Sequence, residues 1–175
     1  MSEIIIRKAT EGDAAGIANV HINSWRESYK NILPKEYLRE LPLEFNERYE
    51  LWLEVTAVKT HPVCVVEHEK FGIVGFTSGG EARDEKYSDF AEIYSIYLLK
   101  QFHGQGSGFT LLKALFSDFI KTGHDKCYVW VLNDNVFTHF YERTGAKNNG
   151  DTRKDTIGKI EITSLCYEWK NLILP

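Results

Sequence analysis

Hydrophobic residues recur along this chain with two periods, and a change of period marks where one element gives way to the next. From 90 to 99 apolar, β-branched and aromatic residues dominate, which predicts a largely buried strand. From 109 to 120 apolar residues return every three or four positions, which predicts an amphipathic helix that begins near Ser107. A glycine-containing loop, residues 101–108, therefore joins a strand to a helix.

The same patterns predict further elements on both sides of this loop. Before it we expect strand 4–6, a helix after the capping sequence Thr10 to Asp13, two short helices broken near Pro42, and strands 62–68 and 71–80. After it we expect strand 126–132, a short helix 136–143, and strands 146–151 and 157–169. In strand 90–99, strict alternation would put Glu92, Tyr94, Ile96 and Leu98 on one face and Ile93, Ser95 and Tyr97 on the other.

Composition narrows the class of protein. A chain of 175 residues with 43% hydrophobic content suits one domain, 1–175, with a real core. The net charge is −4 and the basic residues form no block, so nucleic acid is not an expected partner. The chain has no apolar stretch of about 18 residues and no leader pattern at its start, so we expect a cytoplasmic protein without membrane contact. Cys64, Cys127 and Cys166 lack metal-ligand or redox spacing and are interpreted as reduced core residues.

The loop 101–108 carries the clearest chemical signal. Glycines at 104, 106 and 108 allow a sharp turn, and the first N–H groups of the following helix would form a cradle for an anion. A plain glycine turn is the alternative interpretation. A Walker loop is excluded because no lysine follows the glycines, and a dinucleotide fingerprint is disfavoured because the spacing is Gly-x-Gly-x-Gly.

Three groups of residues resemble one known family. Gln101 to Gly108 resembles the Gln/Arg-x-x-Gly-x-Gly/Ala pyrophosphate loop of the GNAT superfamily of N-acetyltransferases, with Ile96-Tyr97-Leu98 as its lead-in. The second group combines Trp130 to Asn135 with Phe140 to Gly145, and the third is Ser24 to Tyr29 near the start of the chain. Ala146 and His103 depart slightly from the family pattern.

This resemblance implies a fold and a cofactor site. The expected fold is a central mixed, mostly antiparallel sheet of about seven strands, flanked by four or five helices, with strands four and five splayed apart. The implied cosubstrate is acetyl-coenzyme A, with no metal: the loop N–H groups would bind its pyrophosphate, and backbone groups of strand four its pantetheine arm. The implied cofactor-binding residues are Ile96, Tyr97, Leu98, Gln101, Phe102, His103, Gly104, Gln105, Gly106, Ser107, Gly108 and Asn135.

Two residues are candidates for the proton transfers of acetylation. Tyr141 stands where the family often has a tyrosine that protonates the departing thiolate, and packing under the last helix is its alternative role. Glu92 is our first candidate for the base that deprotonates the amine, against the alternative of a paired or solvated acid. His21 and His139 are weaker candidates for that base.

The acceptor is the least determined part of the prediction. Trp25 and Tyr29 would line either the substrate cleft or the edge of the core. We expect transfer to a primary amine of a small molecule or peptide, and the glutamate-rich helices suggest a small cationic amine such as a polyamine. The alternative is a non-catalytic acyl-coenzyme A sensor of the same fold, and a homodimer is also open.

Overall fold

The computed structural model describes residues 4–173 of the chain. This part contains seven strands and five α-helices, joined by loops and short 3-10 turns. The strands are β1 (Ile4–Lys8), β2 (Val63–His68), β3 (Gly72–Glu81), β4 (Ala91–Leu98), β5 (Cys127–Leu132), β6 (Lys147–Ile157) and β7 (Ile160–Trp169). The helices are α1 (Ala14–Ser28), α2 (Lys35–Glu40), α3 (Phe45–Val58), α4 (Ser107–Lys121) and α5 (Thr138–Arg143).

The strands form one mixed sheet in the order β1-β2-β3-β4-β5-β7-β6. Every neighbouring pair is antiparallel except β4 and β5, which are parallel. A parallel pair needs a crossover connection, and α4 supplies it. The predicted fold class, a mostly antiparallel sheet of seven strands with flanking helices, is therefore confirmed.

The helices cover the sheet from both sides. On one face α1 and α3 pack against β2 and β3 through a cluster that includes Ile17, Trp52 and Phe76. On the other face α4 buries Leu112, Leu115, Phe116 and Phe119 against the middle of the sheet. The three cysteines are free and buried, as predicted: Cys64, Cys127 and Cys166.

The parallel pairing of β4 and β5 is short. Ala91–Ile93 pairs with Cys127–Val129, and the strands make no further pairs beyond these positions. The second halves of both strands therefore diverge, which leaves main-chain groups without a neighbouring strand. This confirms the expectation that strands four and five splay apart.

A bulge in β4 lies where the divergence begins. Ser95 is opposite Ser78 on β3 and Ile93 is opposite Gly79, so Tyr94 is an extra residue without a partner. The bulge reverses the alternation that follows it. Ile93 and Ile96 consequently both pack on the α4 side of the sheet.

The bulge makes one sequence-based prediction wrong. Strict alternation placed Glu92, Tyr94, Ile96 and Leu98 on one face, but Ile96 and Leu98 pack beneath α4 while Glu92 points to the opposite side of the sheet. A single inserted residue leaves no mark in a pattern of apolar and polar positions. Side chains before and after Tyr94 therefore need separate assignments.

Gly79 allows the bulge to pack closely, which gives a prediction. A Cβ at Gly79 would lie 2.5 Å from the Glu92 carbonyl oxygen and 2.7 Å from the Phe119 ring. We expect Gly79→Ala to lower the free energy of unfolding by about 2–3 kcal/mol in chemical denaturation, because the β4 backbone at Glu92 cannot move away from the added methyl group. Gly12→Ala is the matched control, since its Cβ would meet only Thr10 at 3.7 Å and stability should stay within about 1 kcal/mol of wild type. Equal stability of the two variants would contradict the proposed packing.

Candidate active site

A cleft of about 510 Å³ opens between the diverging halves of β4 and β5. Its walls come from residues 94–98 of β4 and residues 129–131 of β5. The loop before α4 and the first turn of α4 close one end, and the second half of α1 closes the other. The cleft thus runs through the sheet from the α4 side to the α1 side.

The backbone of β4 presents polar groups to this cleft. Leu99 N–H donates to the carbonyl of Val74 on β3 at 2.9 Å, and antiparallel pairing alternates direction along a strand. The main-chain groups of Tyr97 therefore bond to β3, whereas those of Ile96 and Leu98 point into the cleft. An extended ligand could pair with this edge like an additional strand.

One of these groups already has a partner. The Leu98 carbonyl accepts a hydrogen bond of 2.7 Å from Nε2 of His103, so that nitrogen carries the proton. The His103 ring also packs edge-on against Phe137 at 5.2 Å. His103 thereby connects the end of β4 with the loop after β5.

The loop before α4 has the geometry of an anion site. Gly104 and Gly106 have φ angles of +75° and +81°, in the left-handed region that favours glycine. Gly106 is the N-cap of α4, a helix of 15 residues, and the first helical hydrogen bond runs from Thr110 N–H to the Gly106 carbonyl. The N–H groups before Thr110 are therefore free of helical partners at the positive end of the helix dipole.

The structure brings most of the residues predicted for the cofactor together around the cleft. Those lining it are Ile96, Tyr97, Leu98, His103, Gly104, Gly106, Gly108 and Asn135. Four others lie in the same loop without lining the cleft: Gln101, Phe102, Gln105 and Ser107. The Phe102 side chain is buried in the core beside Leu111.

Asn135 shapes the turn between β5 and α5. Its side-chain oxygen accepts a 2.9 Å hydrogen bond from the Phe137 backbone, which tightens the turn. The helix starts at Thr138, two residues later than predicted, because this turn occupies residues 136 and 137. Asn135 therefore organises the loop that faces His103.

Tyr141 lies on α5 and lines the cleft from the β5 side. The side chain is 8% exposed and packs against the rings of Phe140, Tyr167 and Trp169. Burial, and the nearby Tyr97 hydroxyl to a smaller extent, raise the pKa of Tyr141 well above its usual value. The phenol is consequently protonated at neutral pH and is available as a proton donor.

Aromatic rings and hydroxyls form the α1 end of the cleft. Trp25 Nε1 donates a hydrogen bond of 2.9 Å to the Tyr97 hydroxyl. Burial is the main cause that raises the pKa of Tyr29, and the nearby Tyr97 adds to it. Tyr29 lines the cleft, whereas Trp25 lies behind Tyr97 and does not. Of the two residues predicted to bind substrate, the structure places only Tyr29 at the cleft surface.

Neither histidine considered as a base suits that role. His21 stacks on Tyr97 with ring centroids 5.4 Å apart, and burial, with Arg48 as a second cause, lowers its pKa to about 3. It is therefore neutral and a very weak base at pH 7. His139 is exposed on α5, 3.1 Å from Glu142, and does not line the cleft.

Glu92 lies outside the cleft in a network of its own. The residue is 1% exposed, and its carboxylate accepts hydrogen bonds from the Arg83 backbone at 2.8 Å, the Arg83 guanidinium at 2.5 Å and the Tyr128 hydroxyl at 2.8 Å. It faces a second cavity of about 420 Å³, which it shares with Arg83, Asp84, Glu85, Tyr128 and Arg153. The geometry corresponds to the paired acid, the alternative to a base that contacts the amine.

The two cavities are neighbours with a common wall. Tyr94 and Trp130 line the cleft, and each carries an arginine on its ring: Arg83 lies 4.2 Å from the Tyr94 centroid and Arg153 lies 5.0 Å from that of Trp130. These two stacked pairs separate Glu92 from the cleft. Glu92 thus anchors Arg83, which in turn stacks on Tyr94 in the wall of the cleft.

The charge of the cleft differs from the sequence-based expectation. Its lining contains Arg143, exposed at the end of α5, and no carboxylate among the described residues. Glutamates on α2 and α3 that suggested a cationic substrate, such as Glu36, Glu47 and Glu54, face solvent. The structure therefore does not support a cationic amine on electrostatic grounds.

Several lining residues were missed by the sequence analysis: Ser24, Ser28, Phe109, Phe140 and Arg143. Ser24 and Ser28 lie four positions apart on α1, so they share one face of the helix, and this spacing is a signal that could have been found. Ser24 and Ser28, like Phe140 and Arg143, stand within a motif recognised in the sequence, but none of the four was predicted to line the site. The contribution of Phe140 and Arg143 depends on how α5 packs, which the motif does not specify.

The comparisons with known proteins agree with this architecture. The model of the acetyltransferase (GNAT) family matches residues 21–146. An uncharacterized N-acetyltransferase of Bacillus subtilis, YuaI, is 33% identical over 170 residues, covering 97% of this chain and 94% of the relative. The PaiA N-acetyltransferase of Thermoplasma acidophilum, solved in complex with coenzyme A, has a TM-score of 0.73 at 22% identity, with 95% and 98% of the two chains covered.

A second solved structure was obtained with its cofactor. YncA of Salmonella typhimurium, a putative acetyltransferase in complex with acetyl-CoA, has a TM-score of 0.72 at 17% identity and covers 98% of this chain and 95% of its own. The solved structures share the mixed α/β fold with this chain, and the family model and the Bacillus relative show its class. The chain belongs to the GNAT acetyltransferase family. Among residues 4–173, none of the helices is long and apolar enough to cross a membrane.

The Glu92 network gives the second prediction. Glu92→Gln should lower the free energy of unfolding by about 2 kcal/mol, because it removes the charge from a buried pair whose Arg83 partner is 61% exposed and therefore partly solvated. Glu161→Gln, in a pair that is 70% and 66% exposed, should cost less than about 0.5 kcal/mol. Denaturant titrations of both variants measure the difference. A stable Glu92→Gln protein would contradict the structural role assigned to this carboxylate.

Proposed function

We propose that this protein transfers the acetyl group of acetyl-CoA to a primary amine by direct attack of the amine on the thioester. The observation that carries the proposal is the gap between β4 and β5. It links an anion-binding helix terminus on one side of the sheet to a hydroxyl-lined chamber on the other. Membership of the acetyltransferase family and solved relatives with coenzyme A or acetyl-CoA support the same interpretation.

The cofactor would be bound by main-chain groups more than by side chains. The free N–H groups at the start of α4 would receive the pyrophosphate, with Gly104 and Gly106 keeping side chains out of the way. The peptide groups of Ile96 and Leu98 would pair with the pantetheine amides. Arg143, the exposed cation in the lining, would meet a phosphate of the nucleotide.

Tyr141 would supply the proton that the leaving thiolate requires. The phenol keeps its proton because burial raises its pKa, and the side chain lines the cleft on the β5 side. Donation from Tyr141 would neutralise the charge that develops on sulfur as the C–S bond breaks. Packing against Trp169 would hold the ring in position.

Removal of the amine proton would not use a carboxylate in the cleft. Glu92 accepts four hydrogen bonds behind the Tyr94 ring, so we assign it to holding the wall of the cleft. The acceptor would then enter as the free amine, or pass its proton to solvent through the open cleft. A polyamine is not favoured by such a lining.

The three buried thiols suit a reducing compartment, and we propose the cytoplasm as the site of action.

The third prediction concerns Tyr141. Tyr141→Phe should lower kcat by about 10²-fold with little change in the affinity for acetyl-CoA, because only the proton donor is removed. Release of free thiol in the presence of amines measures the rate. Wild-type kcat should not fall between pH 7 and 10, since the raised pKa keeps the phenol protonated as the pH increases.

Tyr167→Phe is the control for that variant. Its ring lies 5.9 Å from that of Tyr141 and is also buried, but it does not line the cleft. This variant should retain the wild-type rate. An unchanged kcat in Tyr141→Phe would remove the proposed proton donor, and binding of acetyl-CoA without transfer to any amine would favour an acyl-coenzyme A sensor.

The fourth prediction tests the loop. Gly104→Ala should weaken coenzyme A binding in calorimetry by about tenfold or more, because an L-residue strains the left-handed turn that exposes the N–H groups. Gly123→Ala imposes similar strain at the other end of α4, where φ is +90°. It should lower stability similarly and leave the affinity unchanged. Equal affinities in the two variants would contradict the loop as the phosphate site.

A further inference from the structure

The α1 end of the cleft contains a buried hydroxyl without a partner. Ser24 is 2% exposed and lines the cleft, and its Oγ makes no hydrogen bond within the described part of the chain. A serine in a helix commonly donates to the carbonyl four residues earlier, but Ser24 does not. Buried polar groups in native proteins are almost always paired, so this hydroxyl requires an explanation.

Two other hydroxyls that line the cleft are engaged elsewhere. Ser95 Oγ lies 2.5 Å from Ser78 Oγ, and the Tyr97 hydroxyl accepts from Trp25. Among the described residues that line the cleft, Ser24 Oγ and Trp130 Nε1 are the two buried side-chain atoms without a protein partner, and Ser24 is the one on α1.

Ser24 lies at the end of the cleft where the acceptor would bind, away from the proposed cofactor site. It lies on α1, across the sheet from the start of α4 where the phosphates would bind. Tyr141, the proposed proton donor, lines the same cleft as Ser24. An acceptor that enters from the α1 side would therefore pass Ser24 on its way to the thioester.

We propose that Ser24 is a specificity-determining residue that hydrogen-bonds a neutral polar group, a carbonyl or hydroxyl, next to the reacting amine of the acceptor. The inference rests on the proposed acetyltransferase function and adds a substrate class to it. The lining offers Ser24 and Ser28 on one helix face and contains no carboxylate in residues 4–173. A neutral hydrogen-bonding group suits these hydroxyls, whereas a second ammonium group has no counter-charge there.

Two amines of equal size test the proposal. Alaninamide carries a carbonyl beside its amine, and 3-methyl-2-butanamine is its apolar isostere. At one fixed pH, the ratio of kcat/KM for alaninamide to that for the isostere should be about tenfold or more lower in Ser24→Ala than in wild type, while the KM for acetyl-CoA stays unchanged; comparing the two proteins cancels the difference in basicity between the amines. Ser24→Thr, which keeps the hydroxyl, should retain most of the preference. Ser117→Ala, the same change on the exposed face of α4, should alter nothing.

The thermal stability of the free protein provides a second test that does not depend on catalysis. Removing a buried hydroxyl that has no protein partner should raise the Tm of the free protein by about 2–4 °C in Ser24→Ala. A purely structural serine would instead lower Tm and leave the acceptor ratio unmoved.

Three results would overturn the inference. They are an unchanged preference in Ser24→Ala, a lower Tm in that variant, and acetylation of another amine class with neither test amine accepted. Absence of transfer to every amine tested would be different, since it would refute the proposed function itself.

Discussion

The early end of the β4–β5 pairing is the constraint on which the rest of this structure depends. Three residue pairs hold the two strands in parallel, and after Ile93 and Val129 they separate. Continued pairing would have consumed the main-chain groups of Ile96 and Leu98 and closed the passage through the sheet. Because parallel neighbours need a crossover, the same arrangement brings the N-terminus of α4 to the mouth of the gap. One topological feature thus creates both the cleft and its anion-binding end.

The chemistry of the cleft changes along its length. At one end, backbone N–H groups and the helix dipole favour an anion, and at the other end aromatic rings and hydroxyls surround a space without carboxylates. Glu92 belongs to neither end, since it bonds to Arg83 and Tyr128 behind the cleft wall. In such a site the rate would depend on holding a reactive thioester close to a free amine, with Tyr141 assisting departure of the thiolate.

Much of the fold could be predicted from the sequence because its signals are local. The break between α2 and α3 follows from Pro42, and α4 follows from its apolar spacing between glycines. Strand β6 extends to Ile157, well beyond the predicted 151, because it is an edge strand of exposed polar residues without the expected alternation. The bulge at Tyr94 could not be predicted, since it depends on packing of Gly79 against Phe119, far away in sequence.

Some residues of the candidate site could likewise be predicted from the sequence, and others could not. Loop residues such as Gly104 and Gly106 were recognisable because a motif encodes a backbone conformation. Glu92 was misplaced because its surroundings come from Arg83 and Tyr128, on other segments. Ser24 was missed because a serine on an amphipathic helix resembles any core-edge residue until the opposite wall is known.

Amide hydrogen exchange with and without acetyl-CoA tests the central claim, that the gap between β4 and β5 is the cofactor site, most directly. The account predicts that added acetyl-CoA slows exchange in residues 94–98 and 104–109, with little change in the β6–β7 hairpin, which lies at the far edge of the sheet. Slowed exchange confined to the hairpin or to the cavity around Glu92, with 94–98 and 104–109 unaffected, would contradict it.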